Sequence, residues 1–253
     1  MAKALVTGAT SGIGLEFAHQ LAQKGYDLIL VSRDLNRLNK TAQELNSKYK
    51  VIAEVFKADL GTDEGIKSTQ ELISKQEIEF VVNNAGLGLN KPFHKADLAE
   101  EINLLNVLVK APLEICHTSI NQMKQRHKGF IVNVGSVAAW TTSGTYSAAK
   151  VWLTSFSESL NTNYKSSGIN VTVVAPGFTR TEFHERANMS TETIPNWMWI
   201  STNLVVKDSI KAVLRGKAVV IPHSKYRLLY LLLRILPRTF IRKFSNSYQS
   251  RRQ

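Results

Sequence analysis

Tyr146 and Lys150 stand four residues apart in the stretch YSAAK, a spacing that puts both side chains on one face of a helix. A free phenol titrates near ~10, too high for ready proton exchange at neutral pH, and a cation beside it stabilises the phenolate and lowers that value. The pair can therefore handle a proton. Ser136, in the upstream stretch NVGSVA, closes a run of aliphatic residues. From a strand end its hydroxyl can hydrogen-bond an oxygen on which charge develops. Alone, a tyrosine and a lysine at this spacing are equally an exposed pair on a helix, so the rest of the chain has to supply the context.

The first context is the opening stretch LVTGATSGIG, with Gly8, Gly12 and Gly14. Glycine weakens helices and strands, so three at the junction of a strand and a helix need a reason. The first permits a tight turn, the second lets backbone approach a phosphate, and the third lets helix and strand pack closely. The helix N-terminus then offers free N–H groups and a positive dipole end to an anion. Thr10, Ser11 and Ile13 would surround a pyrophosphate there. The spacing is GxxxGxG rather than the commoner GxGxxG, and by itself it also reads as a plain tight turn.

These residues need a frame, and the hydrophobic pattern provides one. Apolar or β-branched runs at 4–7, 28–31, 51–56, 80–83, 130–134, 170–175 and 218–221 read as strands. Several are apolar at consecutive positions, as strands covered on both faces are. Helical segments fall between them at 12–24, 35–48, 62–75, roughly 97–126, 146–166 and 207–215. The alternation predicts an α/β fold: a doubly wound parallel sheet of about seven strands with helices on both faces, in a single domain. No repeat, low-complexity block or linker interrupts it. Residues 1–222 form the expected dinucleotide-binding and catalytic domain, with a flap at about 178–203, and residues 223–253 a basic, apolar tail.

Composition agrees with one globular unit. The chain has 253 residues, 43% of them hydrophobic, and one cysteine, Cys116, so no internal disulfide can form. A reducing, cytoplasmic setting is expected. No signal segment is evident, nor any apolar run of about eighteen residues that would span a bilayer. The six histidines show no paired metal-ligand spacing, so no metal is expected. The net charge of +12 is uneven. Between residues 209 and 253 stand eleven Lys or Arg and no Asp or Glu, which leaves residues 1–208 close to neutral. Such an end calls for an anionic neighbour.

Taken together, TGATSGIG (7–14), Asp59 in ADL, NNAG (83–86), Ser136, YSAAK (146–150) and PGFTRT (176–181) resemble the short-chain dehydrogenases/reductases, specifically their classical branch. The motifs come in that family's order, and the likeness covers roughly residues 3–221. It implies a Rossmann-like fold and a hydride exchanged between a nicotinamide and a carbonyl carbon or alcohol. Tyr146 is then the acid/base, Lys150 its pKa modifier and a ligand of the nicotinamide ribose, and Ser136 the donor to the substrate oxygen. A fourth group in such proteins is an asparagine on the preceding long helix. Asn106 matches best and Asn103 is the alternative. By the same likeness, Asp59 and Leu60 border the adenine, Asn84, Ala85 and Gly86 line the ribose side, and Pro176, Gly177, Phe178, Thr179 and Thr181 hold the carboxamide. The loop between Ser136 and Tyr146 is shorter than usual in the family, so it should be tight.

The end of the second strand bears on the choice of nicotinamide. An acid there favours NAD, whereas an arginine accommodates a 2′-phosphate. Ser32 and Arg33 occupy these places, and Arg33 can fork onto phosphate oxygens. NADP is expected, with NADPH preferred over NADH, although Asp34 follows and reads either as a helix cap or as a competing acid. The flap carries Phe178, Phe183, Met189, Ile194, Trp197, Met198 and Trp199. These suit an apolar or lipid-like substrate and equally suit packing onto the core. In the tail, Arg227, Arg234, Arg238 and Arg242 fall near one helical face among leucines. That pattern fits peripheral contact with the inner face of a membrane, or packing on a second subunit in a homodimer or homotetramer; nucleic acid is not expected. The rival to an enzyme is a non-catalytic dinucleotide sensor or membrane-associated scaffold, which tends to lose the Tyr or the Lys; both are present.

Overall fold

The structure, a computed structural model, describes residues 1–192, 194–237, 239, 240 and 242, with the Arg234 side chain excepted. The tail residues Arg238, Lys243, Arg251 and Arg252 lie outside the described residues. In chain order the elements are β1 (Lys3–Thr7), α1 (Gly12–Gln23), β2 (Asp27–Ser32), α2 (Leu35–Tyr49), β3 (Ala53–Lys57), α3 (Asp63–Ser74), β4 (Ile78–Asn83), α4 (Leu98–Leu105), α5 (Ala111–Arg126), β5 (Gly129–Val134), α6 (Gly144–Tyr164), β6 (Ile169–Val174), α7 (Phe183–Arg186), α8 (Thr202–Leu214), β7 (Val219–Val220) and α9 (Ser224–Ile235).

Every strand pairing is parallel, in the order β3-β2-β1-β4-β5-β6-β7. This is the expected seven-stranded, doubly wound single domain. The strands are apolar in succession because both faces are covered. Along β1, Ala4 and Val6 pack with Phe17, Leu21, Leu38, Val205 and Val213 from α1, α2 and α8. The intervening Leu5 packs on the other face with Ile66, Ile73, Ile115 and Met123 from α3 and α5. Strand order reverses direction between β1 and β4, and at such a switch point the crevice beyond the strand C-termini is where ligands bind.

Local chemistry sets the boundaries. The Asp34 carboxylate accepts from Arg37 N at 3.0 Å and starts α2, which shows Asp34 acting as a cap. Thr62 caps α3, Asp97 and Glu100 form a capping box at α4, and Ser201 caps α8. That last cap begins α8 at Thr202, ahead of the expected 207. The expected helix over 97–126 is interrupted by a π turn, Asn106–Lys110. β3 is displaced toward Lys57 from the expected 51–56, and β7 contracts to two residues.

Cys116 is buried below the sheet, where Asn83 Nδ2 donates to its sulfur at 3.3 Å and to Asn133 Oδ1 at 2.9 Å. Asn133 Nδ2 in turn donates to Ser157 Oγ at 2.9 Å. Burial pushes the Cys116 thiol up to about 12, against a smaller opposing pull from these asparagines.

Candidate active site

The glycine turn takes its shape from β4. Asn84 Nδ2 donates to Thr7 O (2.9 Å) and Gly8 O (3.2 Å), while the Asn84 and Ala85 amides donate to Thr7 Oγ1 at 2.9 and 3.0 Å. Asn84 was expected to line the cofactor's ribose side; its side chain is committed to bracing the turn, and Thr7, which the sequence did not single out, is its partner. Gly8 and Gly12 have φ of +65° and +55°, a region costly for other L residues. A Cβ on Gly12 would come within 2.8 Å of Thr181 Cγ2, so the same glycine lets the segment 176–181 approach the turn. Ser11 is the N-cap of α1 but makes no side-chain cap bond, and the first turn holds no acid. The α1 amides and dipole are therefore available to an anion. A left-handed turn with uncapped donors fits a dinucleotide's phosphates.

On the adenosine side, Arg33 Nη1 lies 4.0 Å from Asp59 Oδ2, and both side chains are open to solvent. Asp59 Oδ1 accepts from Gly61 N at 2.9 Å. The Leu60 side chain is buried in the core below the sheet, so it can offer an adenine only backbone. Thr10 Oγ1 and Ser32 Oγ are 3.4 Å apart, joining turn to second strand. Arg37 was missed. Its guanidinium grips Glu182 at 3.0 and 2.7 Å and donates to Thr10 O at 3.1 Å. The sequence carries no signal for a bridge between α2 and the flap, 145 residues downstream.

Across the switch point, Ser136, Tyr146 and Lys150 come together. Ser136 follows β5 as the cap of a 3₁₀ turn, Val137–Trp140, its Oγ accepting from Ala138 N at 3.1 Å. Its side chain also hydrogen-bonds the Tyr146 phenol, which it pulls toward lower pKa. Burial dominates, however, and pushes the phenol up to about 12. Lys150 Nζ sits 5.7 Å from the centre of the Tyr146 ring and donates to Val134 O at 2.7 Å. Burial pushes this ammonium down to about 8. Burial is the largest influence on the phenol, and the Lys150 ammonium hydrogen-bonds a β5 carbonyl.

Asn106 starts the π turn, and its Nδ2 donates to Gly61 O at 2.8 Å. Asn103 also abuts Gly61. The π turn carries Val107 and Leu108 onto Ala149 of α6, and Tyr146 packs against the same cluster. The Asn106 amide faces the loop that carries Gly61.

The flap closes over these groups. Phe183 lies against the Tyr146 ring, centroids 5.8 Å apart. Phe178, His184 and Trp199 form an aromatic cluster at 5.3–6.0 Å, with Arg180 stacked on Trp199. A cavity of about 560 Å³ within the flap is lined by residues including Arg180, Thr181, His184, Met189 and Trp199. Gly177 has no room for a Cβ because the Tyr226 ring of α9 fills the space. The Tyr226 hydroxyl accepts from Phe178 N at 3.0 Å and donates to Met198 O at 2.6 Å. Pro176 O accepts from Val137 N at 3.1 Å, and Thr179 Oγ1 donates to Gly177 O at 3.0 Å. Among the described residues no three His, Cys, Asp or Glu side chains cluster as a metal site.

Comparison with known proteins gives consistent answers. Solved structures with this architecture include a short-chain dehydrogenase from Sphingobium yanoikuyae in complex with NADPH (TM-score 0.85, 28% identity, 94% of this chain and 96% of that one). A second is the bulky-bulky ketone specific alcohol dehydrogenase from Comamonas testosteroni (TM-score 0.80, 28% identity, 94% and 95%). Among curated relatives, a very-long-chain 3-oxoacyl-CoA reductase of Coprinopsis cinerea is 36% identical over 175 residues, 66% of this chain and 52% of that protein. Hydroxysteroid dehydrogenase-like protein 1 of Gallus gallus is 33% identical over 179 residues, 68% of this chain and 54% of that protein. The chain thus spans only about half the length of these two relatives. The family profile described as short chain dehydrogenase matches residues 2–192, which takes in the glycine turn, the Ser136–Tyr146–Lys150 cluster and the 176–181 segment. With sheet order, turn and profile in agreement, the chain belongs to the short-chain dehydrogenase family.

Proposed function

We propose that the protein is an NADPH-dependent oxidoreductase that interconverts a carbonyl compound and its alcohol, acting on an apolar or lipid-like substrate. The observation that carries this reading is the half-buried phenol of Tyr146, hydrogen-bonded to Ser136 with the Lys150 ammonium beside its ring. NADPH, when bound, supplies the hydride for the carbonyl carbon. The α1 turn residues Gly8, Thr10, Ser11, Gly12, Ile13 and Gly14 hold its phosphates, with Asp59, Ala85, Gly86 and the 176–181 segment around the rest. Ser136 donates to the substrate oxygen as negative charge grows there. Tyr146, protonated at neutral pH because burial holds its pKa near 12, gives that oxygen its proton. Lys150 supplies positive charge at the ribose side.

Arg33 on the open adenosine side supports NADPH over NADH, because its forked donors suit a 2′-phosphate. The NADPH complex of the Sphingobium dehydrogenase supports the same choice. An apolar substrate is supported by the Phe183 ring against Tyr146 and by the ketone and acyl-CoA relatives. A dimer or tetramer belongs to this reading too, supported by exposed Leu98, Ile102 and Leu105 on α4 and Leu113 on α5.

The test is Tyr146→Phe. NADPH oxidation with a panel of ketones and aldehydes of graded chain length should fall by about 10²–10⁴-fold, the usual share of a positioned acid. NADPH binding, followed by its fluorescence, should persist. Full turnover in the variant would remove the mechanism.

A further inference from the structure

From α9 we infer a docking surface for an anionic lipid bilayer, built so that the helix holding the active-site flap is also the one that meets the membrane. A helix places residues one hundred or so degrees apart, so i, i+4 and i+7 share a face. On α9 the inward face is Tyr226, Tyr230 and Leu233, packed on or partly covered by the body. The opposite face is Leu228, Leu231, Leu232 and Ile235, exposed at 60%, 53%, 50% and 83%. A contiguous exposed patch of large aliphatic side chains marks a contact surface. Here four large aliphatic side chains in a row have no cover from the chain's own described residues.

Charge says what covers them. The last forty-five residues hold eleven Lys or Arg and no acid, whereas residues 1–208 are near neutral. Lys225 and Arg227 stand at the two borders of the outer face. Lys225 also bonds the flap, and Arg227 Nε donates to Ile221 O at 2.9 Å while its Nη2 lies 3.7 Å from Asp208 Oδ2. The helix start is thus anchored, and the charge excess comes from the rest of the basic end. An apolar face bordered by cations matches a bilayer with anionic headgroups better than it matches a second copy of so basic an end, which would repel it. No helix among the described residues is long and apolar enough to cross a membrane, so the contact is in the interfacial plane.

The inward face gives the surface its use. Tyr226 bonds Phe178 and Met198, Lys225 donates to the carbonyls of Trp197 and Trp199, and Tyr230 packs on Trp140 with ring centres 4.4 Å apart. Thus α9 touches both the flap and the turn that follows Ser136. A bilayer under α9 sets these two walls next to the lipid phase, the source of a lipid-like carbonyl. This last step rests on the proposed function; the docking itself does not.

The experiment compares the full chain with Leu228→Glu/Leu232→Glu/Ile235→Glu in co-sedimentation with two kinds of vesicle, phosphatidylcholine alone and phosphatidylcholine mixed with phosphatidylglycerol. No substrate is present. Wild type should bind the anionic vesicles and release on added salt, and the variant should bind at least about tenfold more weakly. NADPH-dependent reduction of a short, water-soluble ketone should be the same in both, which separates a failure of docking from a failure of the enzymatic reading. Circular dichroism checks that the variant is folded. Wild type that ignores anionic vesicles, equal binding to both vesicle types, or undiminished binding by the folded variant overturns the inference. So does light scattering that shows a wild-type dimer made monomeric by the variant with no vesicle binding by either.

Discussion

Tyr146 and Lys150 are driven in opposite directions by the same lack of water: the phenol up to about 12, the ammonium down to about 8. At neutral pH both hold their protons. Rising pH removes the Lys150 charge first, so reductase activity should decline as pH passes about 8, and a pH–rate profile of Lys150→Met should lack that limb. Stability moves the other way. Between about 8 and the ordinary lysine value the unfolded chain binds more protons at this site, so unfolding free energy rises with pH across that window. Below it, the folded protein carries the desolvation penalty in full. Denaturant titration at pH 7 should therefore find Lys150→Met more stable, by on the order of 1–3 kcal/mol, while nearly inactive. At Arg33 the expectation is narrower. Arg33→Ala should weaken NADPH binding by about tenfold to a hundredfold, the loss of a forked charged contact, and leave NADH binding as it was, measured by fluorescence titration of both. The pair in YSAAK was legible because i and i+4 spacing on one helix is local, whereas the part of Ser136, on another element, came from the family resemblance. The direction of the Tyr146 shift was not legible, because burial is a property of the assembled site. Nor was Arg37, whose partner Glu182 is brought to it only by the fold.

Elements were legible where one period dominates a segment. All seven strands follow from consecutive apolar runs, and their ends moved by a residue or two because capping and pairing, not hydropathy, terminate them. The interruption at Asn106–Lys110 was invisible because the apolar residues on either side keep a helical period through it. α8 began early because Ser201 caps it, a signal present in the sequence but set inside a segment read as irregular. The joint between α9 and the flap gives a prediction at this scale. Gly177→Ala would put a methyl group into the Tyr226 ring and dislodge both hydrogen bonds of its hydroxyl. It should lower stability by about 1–3 kcal/mol, as overpacking does. Tyr226→Phe keeps the ring but leaves the Phe178 amide and Met198 carbonyl without that partner, at a smaller cost of about 1 kcal/mol. Thermal melts should rank the two, and KM for an apolar ketone should rise in both.

For the molecule as a whole, two apolar layers sandwich the sheet and the polar chain from Cys116 through Asn133 to Ser157 lies within one of them. The single thiol of the sequence is thereby sealed in the apolar core, and held as the unreactive thiol. It is a ready-made clock. A small disulfide reagent should label the native protein only as fast as the whole domain opens, so labelling in water reports global unfolding without denaturant. Adding NADPH should slow the labelling in proportion to one plus its concentration over Kd. Cofactor affinity, for NADPH and NADH alike, can then be read from a sulfur atom that never touches either, in wild type and in variants whose chemistry has been silenced.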